Sequence, residues 1–143
     1  MAENEQKEAA ADVMSDKLLR TRSVLLSGEI DKESADKVIR QLLIMDSESS
    51  EPIKMFINSP GGDVEAGLAI FDMVRFIASP VVMVGMGLVA SAATIVLLAV
   101  PAERRLALPN SSYLIHQPMS KMEGVATDIE IYTRQLERLR LRL

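Results

Sequence analysis

The chain has 143 residues, a net charge of −4, no cysteine and a single histidine. This length suits one domain, and a composition of 48% apolar but only 3% aromatic residues predicts a core of aliphatic side chains and methionine. The lack of cysteine excludes disulfides and thiolate metal sites, and no basic stripe indicates nucleic-acid binding. With no signal peptide apparent, we expect a cytoplasmic protein.

An acidic segment opens the chain. Residues 1–16 hold five Asp or Glu side chains against Lys7 alone, so the other residues balance at zero net charge. A short, charged, alanine-rich segment has little apolar surface to bury, and such segments are typically frayed or disordered. The sequence therefore predicts a disordered arm over 1–16 and a single domain over 17–143.

Strands and helices alternate after this arm. The apolar run 22–28 predicts a buried strand, and Asp31 is the expected N-cap of the following helix. Residues 52–57 predict a second strand, and after the turn at 58–62 we expect Asp63 to cap a second helix. The apolar face of that helix comprises Val64, Leu68, Phe71, Val74 and Ile77. This order predicts an α/β domain with parallel crossovers.

Residues 81–100 contain no charged side chain. Such a run is typical of a transmembrane helix, but Pro80 and Pro101 bracket it and small residues divide it around Ser91. The first half is rich in β-branched residues, as in a buried parallel strand, and the second half suits a fully buried helix. We therefore expect a strand, a turn at Ser91 and a helix whose N-terminus favours a developing negative charge.

The last part of the chain predicts three more elements. Two strands are expected at 104–108 and 112–116, on either side of the turn at 109–111. A polar loop over 117–126 follows, and Thr127 is the expected cap of a terminal helix. The chain stops inside this helix with apolar residues on one face, which favours a truncated piece of a longer product as one alternative.

Ser91 and His116 carry the chemical hypothesis. A serine needs a neighbouring base to become a nucleophile at neutral pH, and His116 is the only imidazole available. Taken singly, the serine is explained as a helix cap and the histidine as a hydrogen-bonded strand end. Gly61 and Gly62 add backbone amides that can approach a substrate closely, and their turn follows a strand, as the Ser91 turn does. Together these features predict serine-hydrolase chemistry, in which backbone donors stabilise an oxyanion.

Five motifs extend this hypothesis to a family. They are Ile-Asn-Ser-Pro-Gly-Gly at 57–62, Gly-Leu-Val-Ala-Ser at 87–91, Leu-Pro-Asn-Ser at 108–111, Ile-His-Gln-Pro at 115–118 and Gly-Val-Ala-Thr-Asp-Ile-Glu-Ile at 124–131. In this order and spacing they resemble the proteolytic subunit of Clp protease, ClpP, and the likeness runs from about Leu18 to Arg142. The resemblance implies the crotonase-like α/β fold of repeated β-β-α units, incomplete at its C-terminus because the last third of the family's domain has no counterpart here.

The resemblance also implies an activity. The chain would be a serine endopeptidase subunit of an ATP-dependent Clp-type protease, hydrolysing peptide bonds of unfolded proteins. Ser91 would be the nucleophile and His116 the general base, and the backbone N–H groups of Gly62 and Ala92 would form the oxyanion hole. No metal or cofactor is implied, since ATP is used by the partner and not by this chain.

The implied partners follow from the same resemblance. They are further copies of the chain in rings, as stacked heptamers, together with an AAA+ Clp unfoldase and unfolded polypeptide substrates, but no nucleic acid and no membrane. The helix from Thr127 would join two rings.

One member of the family's catalytic triad has no counterpart. The aspartate that follows the histidine in the family is absent, and Asp128, in the predicted terminal helix, is not assigned to that role. A catalytically weak or inactive ClpP-like subunit, with a structural or regulatory role in ring assembly, is therefore the alternative function. Acyl-CoA hydratases share the fold but use carboxylate pairs, so the pairing of Ser91 with His116 favours the peptidase.

Overall fold

The computed structural model describes residues 2–115 as an α/β unit. Its helices are α1 (Ala2–Arg20), α2 (Lys32–Glu48), α3 (Val64–Phe76) and α4 (Ala92–Leu97). Its strands are β1 (Ser23–Ser27), β2 (Ile53–Ser59), β3 (Val81–Ala90), β4 (Arg105–Ala107) and β5 (Ser112–Leu114), and a 3₁₀ turn at Ala102–Arg104 precedes β4. The alternation of strands and helices predicted from the sequence is confirmed.

All strand pairs in this part of the chain are parallel. The sheet runs in the order β1-β2-β3, and both β4 and β5 pair with β3. β4 lies beside residues 83–85 and β5 beside residues 88–90, so β3 pairs with two short strands in succession along its length. In a parallel sheet the carboxyl ends of the strands meet at one edge, and the loops that follow β1, β2 and β3 therefore lie together.

Helices α2, α3 and α4 pack on the sheet through aliphatic side chains. α2 begins with a capping box: Asp31 accepts a hydrogen bond from the Ser34 amide at 2.8 Å, and the Asp31 amide donates to the Ser34 hydroxyl at 2.9 Å. α3 begins after Asp63 as predicted, although the Asp63 side chain makes no capping bond. Its buried face is rotated from the predicted one, since Val64 and Leu68 are only partly buried. The buried residues of α3 are Ala66, Gly67, Ile70, Phe71 and Val74.

The acidic N-terminal segment differs from its prediction. The sequence predicted a disordered arm over 1–16, whereas the structure has the continuous helix α1 from Ala2 to Arg20. Alanine, glutamate and lysine have high helix propensities, and acidic residues in the first turn and basic ones in the last complement the helix dipole. The same charged, alanine-rich composition that has little apolar surface to bury therefore favours a helix. Leu19, at the end of α1, packs on the core.

The uncharged run around Ser91 folds as predicted. β3 occupies its first half, α4 begins directly after Ser91, and both are largely buried. Within residues 2–115, no helix combines the length and apolar character that crossing a membrane requires. The predicted loop at 117–126 and the helix from Thr127 lie outside the described residues, as does His116.

Candidate functional site

Ser91 occupies a sharp turn between β3 and α4. Its backbone has φ 55° and ψ −122°, a combination that residues with a side chain seldom adopt. Such a conformation costs on the order of 1–3 kcal/mol and persists only where the surrounding structure imposes it. The Ser91 hydroxyl makes no hydrogen bond to any residue in 2–115, so helix capping does not explain why a serine stands here. A half-buried hydroxyl on a strained turn is the arrangement that nucleophilic serines use.

Hydrogen bonds on both sides hold this turn. The Ser91 amide donates to the carbonyl oxygen of Leu114 at 2.9 Å, which continues the pairing of β3 with β5. The carbonyl oxygen of Ser91 accepts bonds from the amide of Thr94 at 3.0 Å and from its buried hydroxyl at 2.5 Å. Leu114, which bonds to the Ser91 turn, is only two residues before His116 in the sequence.

The loop after β2 packs directly against Ser91. Gly61 has φ 98°, and a Cβ added there would lie 2.7 Å from the Ala90 carbonyl oxygen, 2.7 Å from the Ser91 Cβ and 3.0 Å from the Ala92 amide nitrogen. Real Cβ atoms do not approach backbone atoms this closely. Only glycine therefore fits, and the sequence-based expectation that the Gly61-Gly62 turn and the Ser91 turn share one edge of the sheet is confirmed.

The loop after β1 holds the two glycines from the other side. The Ile30 amide donates to the Gly61 carbonyl oxygen at 2.7 Å, and the Asp63 amide donates to the Ile30 carbonyl oxygen at 2.8 Å. Gly62 has φ 143°, and a Cβ on it would lie against the Ile30 carbonyl oxygen. Because Ile30 is itself fully buried, this loop is a rigid support for Gly61 and Gly62.

Two backbone donors, one next to Gly61 and one next to Ser91, are left unused within the described part of the chain. The amides of Gly62 and Ala92 have no hydrogen-bond acceptor among residues 2–115. Ala92 is the first residue of α4, where an N–H group has no acceptor within its helix. Backbone amides next to a serine nucleophile can bind the oxyanion of a tetrahedral intermediate.

β3 contains a bulge shortly before Ser91. Ile57 pairs with Gly85 but Ser59 pairs with Val89, so β3 has two more residues than β2 in this stretch. The Asn58 side chain fills the gap, and its Oδ1 accepts a hydrogen bond from the Leu88 amide at 3.2 Å. An amide side chain thus replaces the missing backbone partner and fixes the end of β3 that leads into the turn.

Among residues 2–115, the two carboxyl groups with shifted pKa values lie at or near the ends of α2. The Ser34 amide and hydroxyl hold the pKa of Asp31 below its usual value, because both bonds favour the charged carboxylate at the start of α2. The amide and hydroxyl of Ser79 likewise lower the pKa of Asp46 near the end of α2. Both shifts are those of helix-terminal structural contacts.

Sequence reasoning identified part of this arrangement. Of the predicted site residues, Ser91 and Ala92 lie against Gly61, the neighbour of Gly62 in sequence, and His116 is outside the described residues. It missed the supporting roles of Thr94 and Asn58. A threonine three residues after a strand–helix turn was the available signal for Thr94. The role of Asn58 depends on a bulge in another strand and had none.

Comparisons with known proteins agree on one family. A family model described as Clp protease matches residues 5–143. The ATP-dependent Clp protease proteolytic subunit 2 of Treponema denticola is 54% identical over 142 residues, which are 99% of this chain and 71% of that protein. The subunit of the same name from Treponema pallidum is 56% identical over 137 residues, which are 95% of this chain and 69% of that protein.

Solved structures support the same similarity. ClpP1 from Listeria monocytogenes has a TM-score of 0.78 at 45% identity, with 90% of this chain and 75% of that chain covered. The ClpP protease catalytic domain from Plasmodium falciparum has a TM-score of 0.77 at 34% identity, with 90% and 69% covered. The fold that the five motifs implied is confirmed by these likenesses.

Proposed function

The chain belongs to the Clp protease family of serine peptidases, and from this premise we propose that Ser91 is its nucleophile and His116 its general base. The backbone N–H groups of Gly62 and Ala92 bind the oxyanion. Relatives are named proteolytic subunits, which favours the peptidase over a purely structural or regulatory subunit.

The proposed reaction is acyl transfer from a peptide to Ser91 and then to water. The Ser91 Oγ attacks the carbonyl carbon of the peptide bond while its proton passes to His116. The carbonyl oxygen becomes negatively charged in the tetrahedral intermediate and accepts hydrogen bonds from Gly62 and Ala92. The C–N bond then breaks, the amine leaves with the proton from His116, and water attacks the acyl group in the same way.

One observation carries this assignment above all. The Ser91 turn has a strained backbone, a hydroxyl with no hydrogen bond in residues 2–115, and Gly61 in direct contact. A structural serine would use its hydroxyl to cap α4, and a structural turn would relax its φ. Strain combined with a free hydroxyl is explained when that hydroxyl reacts.

The proposal includes partners. The similar proteins are named subunits of an ATP-dependent protease, so we propose that this chain assembles into rings, as stacked heptamers, and receives unfolded polypeptides from an AAA+ unfoldase that hydrolyses the ATP.

The test is labelling by a fluorophosphonate probe, followed by mass spectrometry. The probe forms an O–P bond with an activated serine and releases fluoride, so one adduct is expected on the wild-type chain and none on Ser91→Ala. His116→Ala should slow labelling by at least about 100-fold, since the proton acceptor is lost. A native spectrum of the same sample reports ring formation as a multiple of the 15.7 kDa chain mass.

Each outcome is decisive for the assignment. An adduct on Ser91→Ala would show that another residue is the nucleophile. No adduct on the folded wild type would mean that Ser91 is not activated in this chain. A single 15.7 kDa species at concentrations where labelling proceeds would overturn the ring proposal and leave the nucleophile unaffected.

A further inference from the structure

Ser59, at the end of β2, has a buried hydroxyl with two hydrogen bonds. The side chain has no exposed surface. Its Oγ donates to the Gly28 carbonyl oxygen at 2.6 Å and accepts a bond from the Gly61 amide at 3.1 Å. A buried hydroxyl with both a donor and an acceptor partner is costly to remove, because two backbone groups would lose their partner.

The two bonds connect segments that are remote in sequence. The bond to Gly61 is local, and a serine in a turn often bonds the backbone two residues ahead. The bond to Gly28 is different, since it crosses 31 residues to the loop after β1. A turn-forming serine needs no such partner.

Ser59 is the side-chain member of a set of bonds between these two loops. The other bonds are between backbone groups: the Gly28 amide to the Asn58 carbonyl, the Ile30 amide to the Gly61 carbonyl and the Asp63 amide to the Ile30 carbonyl. Ser59 alone among them bonds both Gly28 and the amide of Gly61, the residue that touches Ser91. Its hydroxyl therefore sets the position of Gly61 relative to the β1 loop.

We propose that Ser59 is a positioning residue for the reaction at Ser91. By fixing Gly61 it holds the following N–H group, that of Gly62, where the oxyanion forms. This inference rests on the proposed function. It predicts that loss of the Ser59 hydroxyl weakens transition-state stabilisation, with little effect on binding of the ground state.

The experiment compares Ser59→Ala with Ser79→Ala. Ser79 is a matched control, since it is also buried, at 2% exposure, and its hydroxyl bonds to Asp46 at 2.8 Å and to the Ser49 carbonyl at 3.0 Å, away from the Ser91 edge. For each folded variant, fluorophosphonate labelling is measured against probe concentration to separate the maximal rate from half-saturation. We expect Ser59→Ala to lower the maximal rate by about 10- to 100-fold, somewhat less than removal of an oxyanion donor.

The control should behave differently. Ser79→Ala should unfold at lower urea concentration, as Ser59→Ala should, but label at the wild-type rate while folded. Half-saturation should stay constant in both. If Ser59→Ala does not fold, Ser59→Cys fills the same position with a weaker donor, and its maximal rate should fall relative to Ser79→Cys.

The outcomes separate this inference from the function on which it rests. If the wild type does not label, the proposed function fails and the role of Ser59 falls with it. If the wild type labels and Ser59→Ala labels at the same rate, the nucleophile stands and Ser59 only stabilises the fold. Equal losses of rate in the Ser59 and Ser79 variants would also overturn the positioning role.

Discussion

At the scale of single residues, two glycines with similar backbones have opposite surroundings. Gly61 has φ 98° and Gly28 has φ 80°, a region in which a side chain is strained. A Cβ on Gly61 would collide with the Ser91 turn, whereas a Cβ on Gly28 would meet nothing within 4 Å. The pair therefore separates the cost of a positive φ from the cost of disturbing the site.

We expect Gly61→Ala to abolish most of the reactivity of Ser91. The added methyl group must displace either the Ser91 turn or the Gly61-Gly62 loop, and a displaced oxyanion donor costs about 100- to 1,000-fold in rate. Fluorophosphonate labelling of the folded variant measures this loss. Gly28→Ala should lose about 1 kcal/mol of stability from its backbone alone and lower the labelling rate far less than Gly61→Ala, since its methyl group meets nothing. Equal labelling by both variants would contradict the contact with Ser91.

At the scale of secondary-structure elements, Arg22 joins the end of α2 to two loops. Its guanidinium donates to the carbonyl oxygens of Met45 at 2.8 Å, Ser49 at 3.0 Å and Glu51 at 2.7 Å. It also donates to the Ser79 hydroxyl at 3.1 Å, next to Asp46. A cation at a helix C-terminus satisfies carbonyl groups that the helix leaves without partners. Arg22 has φ 56°, so its backbone is strained in the conformation that makes these contacts.

Arg22→Ala should be among the more destabilising substitutions in this part of the chain. It leaves several carbonyl oxygens without their donor, and we expect a loss of about 2–3 kcal/mol in the free energy of unfolding. The control is Arg40→Ala, since Arg40 is exposed on α2, the helix whose end Arg22 contacts, and its loss should change stability by less than about 0.5 kcal/mol. Urea denaturation followed by circular dichroism compares them, and similar midpoints would refute the role of Arg22 as a cap.

The elements that could be predicted are those whose stabilising contacts are local in sequence. Asp31 followed by Ser34 carries its capping box within four residues, and the uncharged run around Ser91 is divided by its own small residues. Arg22, by contrast, acts on residues 23 to 57 positions away, and nothing in its neighbourhood in sequence indicates this. The structure has a helix where the sequence predicted a disordered arm, because the composition of this segment is common to disordered segments and exposed helices.

The sheet order was likewise beyond local patterns. Both β4 and β5 were predicted as strands, but their pairing along one edge of β3 depends on the length of that strand. The bulge opposite Asn58 depends on the register of β2 against β3. For the proposed site, the motifs indicated the Ser91 turn and the Gly61-Gly62 turn, whereas the buried partners of Ser59 came only from the folded structure.

At the scale of the whole molecule, stability should fall at acidic pH partly through Asp46. Hydrogen bonds from Ser79 lower the pKa of Asp46 in the folded state, so the unfolded chain binds a proton more readily. The contribution is therefore present at neutral pH and is lost as pH falls below 3.8 through the lowered pKa. Asp46→Asn keeps the shape of the side chain and removes this titration.

The measurement is the difference in unfolding free energy between wild type and Asp46→Asn. This difference should be clear at pH 7 and should shrink as pH falls through the lowered pKa of Asp46, until both states of the wild type bind the proton. A difference independent of pH would show that the carboxylate charge contributes nothing through these bonds.

The way the three loops meet at Ser91 has a consequence for folding. Residues 28–30, 58–63 and 90–92 are each separated by about thirty residues, and contacts over such distances form late and together, because loop closure must precede them. The middle loop, 58–63, contacts both of the others, so both sets of contacts must form before the Ser91 turn has its native surroundings. Reactivity at Ser91 should therefore emerge with the slowest phase of refolding, after the helices have formed, which makes a newly made chain chemically inert until its sheet is complete.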